Sequence, residues 1–194
     1  MKKVGLYFGT FNPVHIGHLV IANHMVEFSD LEEIWFVVTP QSPFKQKQSL
    51  LADHHRYQMV YEATADYQKL RPSNIEFDLP QPNYTSNTLV HLEERHEKDY
   101  RFSLIMGEDN LKGFHKWKNY GAILENHEIY VYPRISSGTL QHRFGNHPKI
   151  HHIDAPIMEI SSTFIRKQHH QGKNIRPLLP DAVWQYLDEM NFYR

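Results

Sequence analysis

Short apolar runs alternate with longer amphipathic stretches along the whole chain. The apolar runs, which are typical of strands buried on both faces of a sheet, lie at Val4–Phe8, Ile34–Val38, Ile75–Leu79, Phe102–Met106, Ile129–Tyr132 and Ile150–Ile153. Helical periodicity predicts helices at His15–Phe28, Ala52–Ala65, Ser86–Lys98, Asn110–Lys118, Ser162–Gln168 and Asp181–Met190. The alternation predicts an α/β fold with a doubly wound, mainly parallel sheet, which binds ligands at the carboxyl ends of its strands.

Length and composition indicate one globular domain that spans residues 1–194. The chain has 194 residues, of which 40% are hydrophobic. It contains no repeat, low-complexity tract or interdomain linker, and the polar segments Thr39–Leu50 and Gly138–Pro148 are predicted loops.

Charge and residue usage narrow the classes of partner and chemistry. Lys plus Arg number 21 and Asp plus Glu number 22, which argues against a nucleic-acid polymer or an anionic membrane as partner. The sequence has no signal peptide and no apolar run of about 18 residues, so we expect a cytoplasmic protein. With no cysteine, disulfides and thiolate catalysis are excluded. The adjacent pairs among the 15 histidines do not have metal-ligand spacing and are predicted surface residues.

The most informative segment reads Gly9-Thr10-Phe11-Asn12-Pro13-Val14-His15-Ile16-Gly17-His18. It follows a predicted strand and opens a predicted helix, so His15 and His18 share the first helical turn. Free backbone N–H groups and the positive end of the helix dipole favour anions there, which predicts a phosphate site. A zinc site lacks a third ligand nearby in sequence. The plain alternative is a tight turn before a helix that happens to carry two histidines.

A second segment reads Ile160-Ser161-Ser162-Thr163-Phe164-Ile165-Arg166. Three hydroxyls precede a helical turn and Arg166 lies one turn further on. Hydroxyls and N–H groups at a helix start bind phosphate oxygens, and a guanidinium binds them in a bidentate way. Taken alone, the segment favours an ordinary Ser/Thr cap followed by a solvated arginine over a phosphate site.

Together the two segments resemble the nucleotidyltransferase superfamily that shares its first motif with class I aminoacyl-tRNA synthetases. The chain is short for a synthetase and has no Lys-Met-Ser-Lys-Ser, which argues against the synthetase branch. Within the superfamily, the chain most resembles the bacterial nicotinate-nucleotide adenylyltransferases. The resemblance covers nearly the whole chain. It includes Ser42–Lys45, Asn83–Leu89, Met106–Asp109, Phe114–Trp117 and the closing Leu179–Tyr193.

The resemblance implies a Rossmann-like fold of the nucleotidyltransferase type. It implies transfer of the adenylyl group of ATP to nicotinate mononucleotide, with release of pyrophosphate, in NAD biosynthesis. The residues implied for ATP are Gly9, Thr10, Phe11, His15, His18, Gly107, Asp109, Ser161, Ser162, Thr163 and Arg166, of which His15, His18 and Arg166 would be catalytic. Those implied for the acceptor nucleotide are Lys45, Tyr84, Thr85, Trp117 and Lys118. Mg²⁺ would bind mainly through the ATP phosphates.

This reaction suits the residues present. The acceptor's 5′-phosphate has a second pKa of about 6, so it is an anionic nucleophile at neutral pH and needs no general base. We therefore expect in-line attack on the α-phosphorus of ATP without a covalent intermediate.

Three positions depart from the family pattern. Many relatives have glycine at the position of Phe8 and aspartate at that of Asn12, and a second aromatic residue often stands where this chain has Lys118. The contacts of the pyridine ring are therefore the part of the resemblance that carries least weight.

Several alternatives stay open at this point. The acceptor could be nicotinamide mononucleotide or phosphopantetheine, or the chain could be a non-catalytic nucleotide-binding module. By itself Trp117 could be a core residue, although the flanking Lys116 and Lys118 favour a position at the rim. Asp109 could be a helix cap, and Lys45 would normally be a solvated charge without the resemblance. A homo-oligomer is compatible with the sequence.

Overall fold

In the computed structural model, six parallel strands of the described residues form one sheet. The structure describes residues 1–43, 50–96, 98–134, 144 and 147–194. The strands are β1 (Lys2–Gly9), β2 (Glu33–Val38), β3 (Leu70–Ser73), β4 (Tyr100–Gly107), β5 (Ile129–Tyr132) and β6 (Ile150–His152), in the spatial order β3-β2-β1-β4-β5-β6. The order reverses between β1 and β4, so the carboxyl ends of these two strands mark the expected ligand crevice.

Helices cover both faces of the sheet and divide the core into two layers. They are α1 (Ile16–Phe28), α2 (Asp53–Thr64), α3 (Thr85–His96), α4 (Glu108–Gly113), α5 (Tyr120–Asn126), α6 (Ser162–His170) and α7 (Asp181–Glu189). Helices α1, α2, α6 and α7 pack on one face, and α3, α4 and α5 pack on the other. No helix in the described part of the chain is long and apolar enough to cross a membrane.

The α/β fold and the parallel sheet predicted from the sequence are confirmed, with one strand misplaced. The predicted strand Ile75–Leu79 is wrong: this segment forms consecutive turns, in which the Phe77 N–H donates to the Asn74 carbonyl at 2.9 Å. The third strand is Leu70–Ser73, which pairs with β2 only. Because it is an edge strand, it tolerates Pro72 and an exposed Arg71. These two residues interrupt the apolar pattern, so the pattern does not predict this strand.

The predicted helix Asn110–Lys118 is also only partly right. Helix α4 ends at Gly113, and Phe114–Lys116 form a single 3-10 turn that leads to Trp117. Helix α5, which the sequence pattern missed, follows from Asn119 in the left-handed conformation (φ 56°). The break places Trp117 at the edge of a pocket rather than inside a continuous helix. The predicted loop Gly138–Pro148 lies largely outside the described residues.

Candidate active site

Two adjoining pockets open at the carboxyl ends of β1, β2 and β4. The first, here called the histidine pocket, is lined among others by His15, His18 and Arg166. The second, the tryptophan pocket, is lined among others by Tyr84 and Trp117. Both are lined by Phe8, Gly9, Thr10, Ser42 and Asn110. These shared residues form the boundary across which groups held in the two pockets would meet.

The two histidines of the first motif are stacked at the start of α1. Their ring centroids are 3.7 Å apart, and the His15 backbone N–H donates to Nδ1 of His18 at 3.2 Å. This bond places the proton of a neutral His18 ring on Nε2. Gly17 permits the arrangement, because a Cβ there would lie only 3.1 Å from Nδ1 of His15.

His15 is uncharged at neutral pH. Its side chain is buried, and this burial, reinforced by the positive charge of Arg134, lowers its pKa to about 4. Its Nδ1 is buried and has no hydrogen-bond partner among the described residues. His15 is therefore a buried, neutral ring at the start of α1.

The second motif fastens the turn that carries the first. Arg166 donates from Nη1 to the Asn12 carbonyl at 2.7 Å, and the Ser162 hydroxyl donates to the Pro13 carbonyl at 2.8 Å. Ser161 caps α6 by accepting the Phe164 N–H at 3.2 Å. Ser161 and Thr163 are exposed in the wall of the histidine pocket. The structure thus brings together two segments that lie about 150 residues apart (Ser162 to Pro13, a separation of 149).

A second set of contacts braces the same turn from behind. The fully buried Arg56 donates to the carbonyls of Thr10 at 2.7 Å and Thr39 at 2.9 Å. The Tyr193 hydroxyl donates to Oδ1 of Asn12 at 2.5 Å, and this oxygen also accepts the Leu51 N–H at 3.2 Å. Oδ1 of Asn12 thus serves purely as an acceptor, the role that the aspartate of many relatives can also fill.

Tyr7, Tyr132 and Arg134 are among the lining residues of the histidine pocket that were not predicted from the sequence. Arg134 donates from Nη2 to the Tyr132 hydroxyl at 3.2 Å, and the Tyr132 hydroxyl lies 3.3 Å from that of Tyr7. Nε of Arg134 lies 4.0 Å from Oδ1 of Asp109. Tyr132 and Arg134 stand at and just beyond the end of β5, where a search of strand ends would have found them. Tyr7 lies within β1 and carries no such signal.

The predicted residues Gly107 and Asp109 lie at the junction of β4 and α4. Gly107 is the residue before the first turn of α4, and a Cβ there would collide with Oδ1 of Asp109. Glycine at this position therefore lets the Asp109 carboxylate keep its place against the backbone. Asp109 lines the histidine pocket, with a side chain that is half exposed.

The tryptophan pocket contains four of the five residues predicted for the acceptor. Trp117 is partly buried and meets Phe114 edge to face at 5.5 Å, so it lies at the rim of the core rather than inside it. Nζ of Lys118 lies 4.7 Å above the Tyr84 ring centroid. Thr85 is the first residue of α3, whose leading N–H groups have no acceptor within the helix. Lys45 lies outside the described residues. The pocket wall also includes Thr39, Glu76 and Asn83.

Comparison with known proteins shows the family to which this chain belongs. A family model described as cytidylyltransferase-like matches residues 6–168. A probable nicotinate-nucleotide adenylyltransferase of Christiangramia forsetii is 65% identical over 193 residues, which cover 100% of this chain and 99% of that protein. A protein of the same description from Flavobacterium johnsoniae is 64% identical, with 99% of both chains covered.

The chain belongs to the nicotinate-nucleotide adenylyltransferases, within the cytidylyltransferase-like family. Solved structures of nicotinate-nucleotide adenylyltransferases share its fold. Plasmodium falciparum nicotinic acid mononucleotide adenylyltransferase complexed with NaAD has a TM-score of 0.83 at 20% identity, covering 100% of this chain and 98% of that one. A putative nicotinate-nucleotide adenylyltransferase of Vibrio parahaemolyticus has a TM-score of 0.73, also at 20% identity, covering 100% of this chain and 96% of that one. At this identity the likeness concerns the fold alone.

Proposed function

We propose that the histidine pocket binds ATP and the tryptophan pocket binds nicotinate mononucleotide, so that the adenylyl group passes directly between them. The family reaction joins these two nucleotides into nicotinate adenine dinucleotide and releases pyrophosphate, a step of NAD biosynthesis. The observation that carries the proposal is the boundary shared by the two pockets at Gly9 and Thr10. A reaction between two bound phosphates needs such a meeting point.

For ATP, the proposal assigns the triphosphate to the start of α1 and the start of α6. His15 and His18 offer ring N–H groups, and Arg166 offers the guanidinium donors that its bond to Asn12 leaves over. Ser161, Ser162 and Thr163 complete this cradle, with Thr10 and the flanking Gly9 and Phe11 on the strand side. Gly107 and Asp109 lie at the end of β4 and are assigned to the ATP ribose.

For the acceptor, the proposal assigns the pyridine ring to Trp117 and Tyr84. The ring carboxylate accepts hydrogen bonds only, so it suits the free N–H groups at the start of α3 near Thr85, with the backbone near Lys118 on the other side. The cation of Lys118 above the Tyr84 ring adds positive charge to this end of the pocket. Lys45 remains the residue proposed for the acceptor phosphate.

The transfer itself is a single displacement. An oxygen of the acceptor phosphate forms a bond to the α-phosphorus, and the bond from that phosphorus to the oxygen bridging to the β-phosphate breaks. Negative charge accumulates on the departing pyrophosphate, where His18 and Arg166 supply donors held by their own backbone contacts. The protein positions and stabilises charge, and no side chain becomes covalently attached.

The metal is proposed to arrive with ATP. No group of three His, Asp or Glu side chains that could hold a metal ion occurs in the described ranges. The proposed site therefore fits Mg²⁺ that is held through phosphate oxygens and water, and Mg²⁺ would neutralise the charge of the triphosphate.

We also propose that residues 1–194 act as one domain, since the segment 160–166 completes the site by its contacts to Asn12 and Pro13.

The test is dinucleotide formation with three competing acceptors. Purified protein is given ATP and Mg²⁺ with nicotinate mononucleotide, nicotinamide mononucleotide or 4′-phosphopantetheine, and pyrophosphate and coupled product are quantified. The proposal predicts a kcat/KM about tenfold to a hundredfold higher for the acid than for the amide, and no product from phosphopantetheine. Preference for the amide would overturn the assignment of the ring carboxylate. Turnover of phosphopantetheine alone would overturn the acceptor.

A further inference from the structure

Glu76 is a buried carboxyl in the wall of the tryptophan pocket, and the proposed function assigns it no contact with either substrate. Only 1% of its surface is exposed, and its Oε1 accepts a hydrogen bond from the Thr88 hydroxyl at 2.6 Å. Its Oε2 is buried, and no donor among the residues that the structure describes reaches it in full hydrogen-bond geometry, although the Thr39 hydroxyl lies nearby. A buried acceptor without a donor is unfavourable, so the site is built for a donor that arrives with a ligand.

The ionised form of the Glu76 carboxyl can accept such a hydrogen bond. Burial raises the pKa of Glu76, whereas the nearby hydroxyls of Thr88 and Thr39 lower it. An ionised carboxylate accepts at both oxygens, so Oε2 can accept a hydrogen bond while Oε1 accepts from Thr88. A donor that arrives with a ligand also favours the ionised form.

Glu76 lies between the end of the tryptophan pocket that borders the histidine pocket and the end that contains Tyr84. On one side is Thr39, whose backbone N–H donates to the Gly9 carbonyl at 2.9 Å at the boundary with the histidine pocket. On the other side is Asn83, whose Nδ2 donates to the Glu76 carbonyl at 3.1 Å and which directly precedes Tyr84. A mononucleotide with its phosphate at the boundary and its ring on Trp117 places its sugar beside Glu76.

The chemistry of the ligand selects the same part. In nicotinate mononucleotide the phosphate and the ring carboxylate are anions that only accept hydrogen bonds, and both are repelled by a carboxylate. The hydroxyls of the ribose are its hydrogen-bond donors. We propose that Glu76 accepts a hydrogen bond from the ribose hydroxyls of the acceptor nucleotide and so selects a ribonucleotide over a deoxyribonucleotide. This inference rests on the proposed function of the tryptophan pocket.

The experiment compares sugar selectivity rather than activity alone. Steady-state kinetics are measured with nicotinate mononucleotide and with its 2′-deoxy and 3′-deoxy analogues, for the wild type and for Glu76→Met and Glu76→Gln. The wild type is expected to lose about tenfold or more in kcat/KM when the contacted hydroxyl is absent. In Glu76→Met, which removes both acceptors at similar volume, this ratio falls close to one. Glu76→Gln, which keeps a neutral acceptor, gives an intermediate ratio, and the KM for ATP stays the same in both variants.

Thr88→Val is the matched control. It removes the hydroxyl that holds Oε1 but leaves Oε2, so the ratio between ribose and deoxyribose substrates is retained even if overall activity drops. An unchanged ratio in both Glu76 variants, or a wild type that accepts the deoxy analogues equally well, overturns the inference while the proposed function stands. Failure of the wild type to couple nicotinate mononucleotide overturns both.

Discussion

At the residue scale, His15 is a buried residue beside the turn that is proposed to bind phosphate. Its uncharged state follows from burial and from Arg134, both of which oppose protonation. Neutral imidazole still donates one N–H, so it can bind phosphate without an isolated buried charge in the free protein.

The low pKa of His15 predicts an acid-sensitive fold. The pKa of this histidine is 6.5 in the unfolded chain, whereas burial lowers its pKa to about 4 in the folded protein. Stability is therefore complete above pH 6.5 and is lost as the pH falls towards 4, because the unfolded state binds the proton first. Between pH 7 and pH 5 this loss is about 2 kcal/mol in the free energy of unfolding.

Urea unfolding at the two pH values measures this effect. The His15→Asn variant, which cannot titrate, should lose about 2 kcal/mol less than the wild type over the same interval. His24→Asn provides the matched control on the same helix, and its stability should fall with pH as in the wild type. An equal acid dependence of the wild type and His15→Asn would show that His15 is not buried as described.

Individual residues show which parts of the candidate site could be predicted from the sequence. The two histidines and Arg166 were found because their motifs are local and ordered along the chain. Arg56 sits in an amphipathic helix where an arginine is normally solvated, and only the fold reveals that it is fully buried against Thr10 and Thr39. Tyr7 meets Tyr132 across 125 positions of sequence, a contact with no local signal.

At the element scale, the loop between β1 and α1 is held by elements from the far end of the chain. Helix α6 reaches it through Arg166 and Ser162, and the segment after α7 reaches it through Tyr193. The elements of the sheet interior were predictable because their strands are apolar on both faces. Strand β3 was not, because its edge position removes that requirement.

The contact of Tyr193 predicts that the end of the chain supports catalysis. Tyr193→Phe removes one hydrogen bond to Asn12, which lowers the free energy of unfolding by about 1 kcal/mol. Because the turn then loosens beside His15 and His18, kcat should fall about tenfold while the KM for the acceptor nucleotide stays constant.

Tyr186→Phe is the matched control for this prediction. It also removes a tyrosine hydroxyl that makes one hydrogen bond, here at 2.8 Å to Nδ1 of His55. Tyr186 lies in helix α7, and this bond does not involve the turn between β1 and α1. Chemical denaturation should give a similar loss of stability, with kcat unchanged. A normal kcat in Tyr193→Phe would show that the turn keeps its shape without this contact.

At the scale of the whole molecule, the sheet order brings two pockets against one another. The histidine pocket and the tryptophan pocket meet at the carboxyl end of β1, next to the point where the strand order reverses. Sequence reasoning anticipated part of the lining of each pocket from local motifs. It could not anticipate that they share a wall, since this depends on the pairing of β1 with β2 and β4.

The measurement that tests this account most directly is the stereochemistry of transfer at the α-phosphorus. ATP carrying a single sulfur-substituted, chiral α-phosphate is coupled to nicotinate mononucleotide, and the configuration of the dinucleotide product is determined. Direct passage between adjoining pockets is one in-line displacement, so the account predicts inversion. Retention would mean two displacements through an adenylylated side chain, and it would contradict a site in which the two nucleotides react face to face.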